Sequence, residues 1–145
     1  MENRNTDKEA LVSLYKNAHI ALQSISDIIK EVSDENMKRE LSDQYDGYEK
    51  YIGKLSSYMK ETSTEVQDIN PFKKAMLFAS VKMNTAMDDS ASHVAELMIK
   101  GTVMGINEIK AMDNEKENLD ESIADFIARL LKLEEGYEEK LKEFL

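Results

Sequence analysis

The sequence predicts a single all-α domain, and three observations carry that prediction: composition, apolar periodicity and an internal repeat. Its 145 residues include one proline and five glycines, with no tryptophan and no cysteine. Because proline and glycine interrupt helices, a chain with so few of them is typical of long helices joined by few turns. A chain of this length can bury a substantial core, and we assign one domain to residues 1–145.

Composition and charge exclude several functional classes. Hydrophobic residues make up 41% of the chain and charged residues 33%, which is typical of a folded, soluble domain. The net charge of −10 disfavours nucleic acid and anionic membranes as partners. The lack of cysteine excludes disulfides, thiolate metal sites and cysteine nucleophiles, and two histidines cannot form a three-histidine zinc site.

The expected location follows from the N-terminal residues and from the lengths of the apolar runs. Residues 1–10 carry charges with no apolar run behind them, so they do not resemble the start of a signal peptide. Strongly apolar stretches extend over only a few residues, whereas a membrane-spanning helix needs about 20. We therefore expect a cytoplasmic protein that does not bind membranes.

Residues 7–62 are predicted to form an antiparallel helical hairpin. The capping box that begins at Thr6 is expected to start the first helix, and the polar run 33–36 ends it. The second helix continues to about Thr62. Apolar residues recur at steps of three and four, the period of one buried helical face. They are Leu11, Leu14, Ala18, Leu22, Ile25, Ile29 and Val32 in the first helix, and Met37, Leu41, Tyr45, Tyr48, Ile52, Leu55 and Met59 in the second.

Residues 63–88 are predicted to be a long crossover that carries an extra helix over about 72–87. Asn70 and Pro71 supply an N-cap followed by a proline at the first helical position. Leu77, Phe78 and Val81 lie off the apolar stripe of this helix and would be exposed if only one face packed. Adjacent apolar faces rarely remain in water, so we expect this surface to form a homo-oligomer, most simply a dimer, or to bind another protein.

Residues 89–145 are predicted to form a second hairpin. Its first helix starts near Ser90 and ends near Asp113, and Asn118 is expected to cap the last helix, which continues to the end of the chain. The apolar stripes are Val94, Met98, Gly101, Gly105, Ile109 and Met112, followed by Ile123, Ile127, Leu130, Glu134, Tyr137, Leu141 and Phe144.

The two hairpins are related by an internal repeat. Residues 16–25 align with 100–109, and residues 45–50 align with 134–139, with an identical Gly-Tyr-Glu sequence in the second pair. The two alignments require a short insertion, which falls in the polar turn at 114–118, where insertions are tolerated. Because each hairpin has one apolar face to bury, the two are expected to pack as a four-helix bundle.

Two tandem helical hairpins with a long crossover resemble the ferritin-like superfamily over nearly the whole chain. Within that superfamily, residues 83–90, 92–96 and 101–106 resemble a bacterial branch to which no activity is attached. The resemblance implies a ferritin-like four-helix bundle built from two repeated hairpins.

The resemblance also implies where a di-iron centre would lie. Metal-binding members carry an inward glutamate on the first helix of each hairpin and Glu-x-x-His on the second. In this chain the Glu-x-x-His positions match Tyr45 and Tyr48, and then Glu134 and Tyr137. The inward positions of the other two helices match Ala18, Ala21, Leu22, Thr102, Gly105 and Ile106. One carboxylate and three phenols do not hold a di-iron centre, so we expect no metal cofactor and no ferroxidase or oxygenase activity.

Glu134, Tyr45, Tyr48 and Tyr137 are predicted to form an interior polar cluster if the hairpins pack symmetrically. Three interpretations of Glu134 are open. It is a buried carboxylate that tyrosine hydroxyls satisfy and that sets the helix register, a carboxylate that handles protons, or the remnant of a mononuclear metal site. We favour the first interpretation.

Two further features have a structural and a functional interpretation. His93, Glu96 and Asp89 share one face at the start of the third helix, where they would either bind a divalent ion or, as we favour, cap the helix and pair with its dipole. Mid-helix glycines cost roughly 1 kcal/mol each relative to alanine, so they predict close contact between helices. These glycines are Gly47, Gly101, Gly105 and Gly136.

No serine triad order, phosphate loop, dinucleotide fingerprint or zinc spacing is present. We therefore expect a structural or protein-interaction bundle that is not an enzyme and carries no cofactor. The alternative is a degenerate ferritin-like metalloprotein or small-ligand binder with a remnant site near Glu134. A coat or storage role rests only on analogy with ferritin-like spore-coat proteins.

Overall fold

The computed structural model describes residues 5–65 and 90–145, and these residues form an all-helical fold. Single turns of 3₁₀ helix lie in two of the connections, at Ile29–Glu31 and Lys116–Asn118. No strand occurs in the described ranges, so the predicted all-α class is confirmed there. The four long helices are α1 (Asn5–Ile28), α2 (Glu35–Glu61), α3 (Ala91–Asp113) and α4 (Glu121–Lys142).

The extra helix predicted over 72–87 lies outside the described residues. The same holds for most of the crossover that was predicted over 63–88. The candidate contact residues Leu77, Phe78 and Val81 belong to this part of the chain, and they remain predictions from the sequence.

Side-chain caps define where the second and third helices begin. The Oδ1 atom of Asp34 accepts the backbone N–H of Met37 at 2.8 Å, which caps α2. The hydroxyl of Ser90 accepts the backbone N–H of His93 at 3.3 Å, which caps α3. A helix start near Ser90 is therefore confirmed, because this oxygen satisfies an amide that has no partner within the helix.

Two predicted caps are wrong. The N-cap of α4 is Asp120, which accepts the N–H of Ser122 at 2.9 Å, and not Asn118. At Asn118 the chain is still in a 3₁₀ turn, and it becomes extended only at Leu119, so a helix cannot start two residues earlier. Thr6 lies within the helix described over Asn5–Ile28, so it is not the cap of the first helix.

The four helices pack together, with α1 mainly along α2 and α3 mainly along α4. Tyr58, near the end of α2, contacts Phe126 near the start of α4, whereas the earlier Tyr48 contacts the later Glu134. The two helices are therefore antiparallel. At the same end of the bundle, the carboxylate of Asp7 on α1 accepts the backbone N–H of Asp120 at 3.1 Å. Helices α1 and α4 therefore start at the same end.

The core contains most of the apolar positions that the periodicity predicts, with shifts of one residue. Ile28 is fully buried where Ile29 was expected, and Tyr51 is buried where Ile52 was expected. Gly101 is exposed, whereas its neighbour Thr102 is buried. Because a helix has about 3.6 residues per turn, two adjacent residues can both fit a stripe with steps of three and four. The helix that packs against the stripe determines which of the two residues is buried. Fully buried predicted positions include Leu11, Leu14, Ala18, Met37, Leu41, Leu55, Val94, Ile109, Ile123, Ile127, Leu130 and Leu141.

Candidate functional site

The carboxyl group of Glu134 lies in the interior, among all four helices. Glu134 projects from α4 and is 1% exposed. The hydroxyl of Tyr48 on α2 donates to its Oε2 atom at 3.1 Å. Its Oε1 atom is buried and has no hydrogen-bond partner among the described residues. A charged carboxylate that is removed from water and receives so few donors is costly, so this position favours the neutral acid.

Gly105 on α3 provides the space in which this carboxyl group lies. A Cβ atom at Gly105 would be 3.0 Å from Oε2 and 3.2 Å from Oε1 of Glu134. Helix α3 thus presents its bare backbone to the carboxyl group, and any larger residue would force the group to move. The close helix contact predicted for Gly105 is confirmed.

Asn17 connects α1 to the same place. Its side chain is 6% exposed, and its Nδ2 atom donates to the carbonyl oxygen of Gly105 at 3.2 Å and to Oε2 of Glu108 at 3.1 Å. Its Oδ1 atom is buried and has no hydrogen-bond partner among the described residues. We name Asn17, Tyr48, Gly105, Glu108 and Glu134 the Glu134 cluster, to which every described long helix contributes.

Tyr137 packs at the edge of the Glu134 cluster. Its ring lies edge-on to that of Tyr48, with 5.3 Å between the ring centroids. Its hydroxyl occupies the space that a Cβ atom would take at Gly47, so the close contact predicted for this glycine is also confirmed. At Gly101 and Gly136, no described atom lies within 4 Å of the Cβ position, and the same prediction is wrong there.

The repeat explains why Gly47 and Gly136 differ. Tyr48 is the counterpart of Tyr137 in the repeat, and a symmetric bundle would place it over Gly136. Instead, Tyr48 donates its hydroxyl to Glu134. The repeat position of Glu134 is occupied by Tyr45, which carries no carboxylate, so the two halves cannot form the same hydrogen bond.

Burial controls the electrostatics of the cluster. It raises the pKa of Glu134 from 4.5 to about 8, against the lowering effect of the Tyr48 hydrogen bond, while the negative charge of Glu108 raises it further. Burial also raises the pKa of Tyr48 well above its usual value, and the charge of Glu134 adds to that effect. Burial and three nearby carboxylates on α2 raise the pKa of Tyr137 to about 12. At neutral pH, Glu134 and both tyrosines are therefore mainly uncharged.

The structure brings together three of the four residues predicted for the interior polar cluster. Glu134, Tyr48 and Tyr137 are in contact. Tyr45 is partly buried against the apolar core, and no hydrogen bond joins it to Glu134 in the described part of the chain. The buried position on that turn of α2 belongs to Gln44, which donates to Glu40 at 2.9 Å.

Sequence reasoning missed Asn17 and Glu108. Asn17 precedes Ala18 and lies one position away from the apolar stripe, where polar residues are ordinary. Glu108 is an exposed residue on α3, and its interaction with Asn17 depends on how α1 and α3 are aligned along their lengths. Periodicity within one helix carries no signal for such an alignment.

The surface group at the start of α3 contains one long contact, between His93 and Glu96. Nδ1 of His93 lies 3.9 Å from Oε2 of Glu96, and the side chain of Glu96 is 58% exposed. Asp89, the third predicted member, lies outside the described residues. In the ranges that the structure covers, no three histidine or carboxylate side chains form a group able to hold a metal ion.

The donors around Glu134 do not fit the di-iron centre that the resemblance implies. Such a centre needs several carboxylates and imidazoles that point to one place. Here the carboxyl group of Glu134 faces a tyrosine hydroxyl and a glycine backbone, and the nearby Glu108 is bound to the amide of Asn17. Around Glu134, the residues that the structure describes therefore offer no set of ligands for two iron ions.

The fold and the cluster together define an all-helical protein with a buried glutamate where its four described long helices meet. None of the described helices is both long enough and apolar enough to cross a membrane. Comparisons of the chain with protein-family models, with curated proteins and with solved structures find no match.

Proposed function

We propose that this protein is a ferritin-like four-helix bundle that acts as a structural or protein-interaction module and not as an enzyme. The observation that supports this proposal is the closure of the interior around the carboxyl group of Glu134. Glu134 and Asn17 are 1% and 6% exposed, and the backbone of Gly105 packs directly on the carboxyl group. Catalytic sites are concave and open to their substrates, whereas this interior is filled by the protein itself. The function is then carried by the outer surface.

We place the contact surface on the crossover, at Leu77, Phe78 and Val81. On the described surface, the large exposed hydrophobic residues are Met104 and Leu145, which are 65% and 63% exposed. Single exposed apolar residues are ordinary and do not form a patch, so they do not compete with the three apolar residues that the sequence predicts to be exposed on the crossover helix. The proposed assembly is a homodimer in the cytoplasm, with another protein as the alternative partner.

Light scattering over a range of protein concentrations tests this assignment. The double variant Phe78→Asp/Val81→Asp is expected to be monomeric at concentrations where the wild type is dimeric, with an unchanged far-ultraviolet circular dichroism spectrum. Met104→Asp is the matched control, because it changes an exposed apolar residue on α3, and it should dimerise like the wild type. A wild type that is monomeric throughout, or a double variant that still dimerises, would contradict the proposal.

A second candidate function is a small-ligand site near Glu134, inherited from a ferritin-like metalloprotein. The observation that favours it is the pair of buried oxygens without donors, Oε1 of Glu134 and Oδ1 of Asn17. Native mass spectrometry of protein purified without chelator tests it. An adduct that is stoichiometric in the wild type and absent from Glu134→Ala would favour the ligand site. A wild-type mass without any adduct would contradict the ligand site and favour the interaction module.

A further inference from the structure

The hydrogen bonds around Gly105 leave two buried acceptors without a donor. These are Oε1 of Glu134 and Oδ1 of Asn17. Both side chains border the backbone of Gly105, where a Cβ atom would lie 3.2 Å from Oε1 of Glu134 and 3.4 Å from Nδ2 of Asn17. Buried polar atoms nearly always have a partner, so two of them beside one glycine require a physical explanation.

The orientation of the Asn17 amide is determined by its other contacts. Its Nδ2 atom donates to the carbonyl oxygen of Gly105 and to a carboxylate oxygen of Glu108. Flipping the amide would place its oxygen against these two acceptors and would lose both bonds. Oδ1 is therefore an acceptor that faces away from Glu108.

An ionised Glu134 cannot supply the missing donor. A carboxylate only accepts hydrogen bonds, so Oε1 and the Asn17 oxygen would both remain unpaired. A protonated Glu134 carries one O–H donor, while Oε2 keeps the hydrogen bond from Tyr48. One proton on Oε1 therefore turns an unpaired acceptor into a donor, and the unpaired Oδ1 of Asn17 is an acceptor without a donor.

We propose that Glu134 is a proton-binding site, in which a proton on Oε1 is shared with Oδ1 of Asn17 and ties α4 to α1. Both side chains lie beside Gly105, and rotation of the carboxyl group directs its O–H group towards the Asn17 amide. Loss of the proton places a negative charge and two unpaired acceptors at the point where the four long helices meet. The ligand of this site is the proton, and the affected property is the cohesion of the bundle.

The groups that face Glu134 also favour the proton. Helix α1 contributes the uncharged amide of Asn17, and α3 contributes the negative charge of Glu108, which raises the pKa of Glu134. Helix α2 contributes the hydroxyl of Tyr48, while the hydroxyl of Tyr51 donates to the carbonyl oxygen of Phe126. The pKa values of both tyrosines are raised by burial and by the charge of Glu134. On α4 itself, Tyr137 packs against Tyr48. No lysine or arginine in the described ranges pairs with Glu134, and burial raises its pKa to about 8.

Carbon-13 NMR of the glutamate carboxyl groups tests the site directly. The Glu134 resonance is assigned by its absence from Glu134→Gln and is followed from about pH 5 to about pH 10, far above the usual glutamate pKa. It should remain at the position of a protonated acid until the pH approaches 8. A Glu134 resonance that titrates together with the other glutamates would overturn the proposal.

The chemical shift of the Asn17 side-chain carbonyl carbon provides a second test, because burial of Glu134 without proton sharing would not make this shift depend on pH. Its carbonyl carbon is expected to shift with the same midpoint as Glu134, because it loses the proton that it accepts. If Glu134 titrates near pH 8 while the Asn17 signal stays constant, the sharing between these two residues is wrong.

Two variants should move the Glu134 midpoint in opposite directions. Glu108→Gln removes a facing negative charge and is expected to lower the midpoint, whereas Tyr48→Phe removes the donor to Oε2 and is expected to raise it. The matched control is Glu135→Gln, which changes the same charge at an exposed neighbouring position on α4. If Glu108→Gln and Glu135→Gln have equal effects, the carboxyl group does not respond to the groups named here.

Discussion

Asp7 and Glu134 are both buried carboxyl groups at contacts between helices, yet they are satisfied in different ways. Asp7 lies at the end of the bundle, is 3% exposed, and accepts the backbone N–H of Asp120 at 3.1 Å. Glu134 lies in the middle, accepts one tyrosine hydroxyl, and has one oxygen without a partner among the described residues.

Position along a helix explains this difference. The first amides of a helix have no partners within it, so the start of α4 offers a free N–H group to Asp7 together with the positive end of the helix dipole. In the middle of a helix every backbone amide is already bound, and a buried carboxyl group meets only side-chain donors. A carboxyl group at the end of the bundle therefore accepts a backbone N–H, whereas one in the middle meets only side-chain donors.

The largest expected effect is on the pH dependence of stability through Glu134. Its pKa is about 8 in the folded protein and near 4.5 when unfolded, so between these values the unfolded chain binds fewer protons than the folded one. The free energy of unfolding should therefore fall by about 1.4 kcal/mol per pH unit across this window, roughly 5 kcal/mol in all, and level off above it.

Glu134→Gln removes this titration and serves to measure it. In urea unfolding at several pH values, the variant should gain stability relative to the wild type as the pH rises from 4.5 to about 8. Glu135→Gln, at an exposed position, should follow the wild-type profile. If the free energies of unfolding of Glu134→Gln and the wild type change in parallel with pH, the buried Glu134 does not differ from Asp7 in the way described here.

The next effect concerns the end of the bundle. Asp7→Ala removes the acceptor of the Asp120 N–H and should lower the free energy of unfolding by about 1–3 kcal/mol. Asp7→Asn keeps an oxygen acceptor and should lose less. Urea unfolding at neutral pH measures both, with the exposed neighbour Thr6→Ala as the control. If Asp7→Ala is no less stable than the control, the contact at this end does not contribute to stability.

The smallest effect compares two glycines of α3. Gly101→Ala has open space around its Cβ position in the described structure and should gain up to about 1 kcal/mol from helix propensity. Gly105→Ala places a methyl group against the carboxyl oxygens of Glu134, and a net loss of about 1 kcal/mol is expected. Thermal unfolding of the two variants checks the sign of each effect. An equal gain at both positions would show that Glu134 moves away freely.

Helix positions and buried faces were largely predictable because they depend on local chemistry. The hydroxyl of Ser90 caps the helix that starts beside it, and the stripe of α4 placed Glu134 among apolar residues, where it is indeed buried. The repeat also predicted that Tyr48 and Tyr137 lie close together, and their rings are in contact. Each of these inferences needs only the period of a helix or a contact within a few residues.

The contacts of Asn17 with Gly105 and Glu108 were not predictable in this way. They join residues on α1 and α3 that are far apart in the chain, and they depend on the axial alignment of two helices. The choice between Ile28 and Ile29 in the core depends on the neighbouring helix for the same reason.

By itself, the sequence determined the helical class, the approximate ends of the helices and the presence of a glutamate on a buried face. The tertiary structure decided which donors that glutamate meets, that Gly105 leaves space for it, and that Asn17 lies beside it. The physical reason is that helix periodicity specifies a direction around one axis, whereas a hydrogen bond between helices also requires their relative height and rotation. Those two quantities arise only when side chains from all four helices pack together.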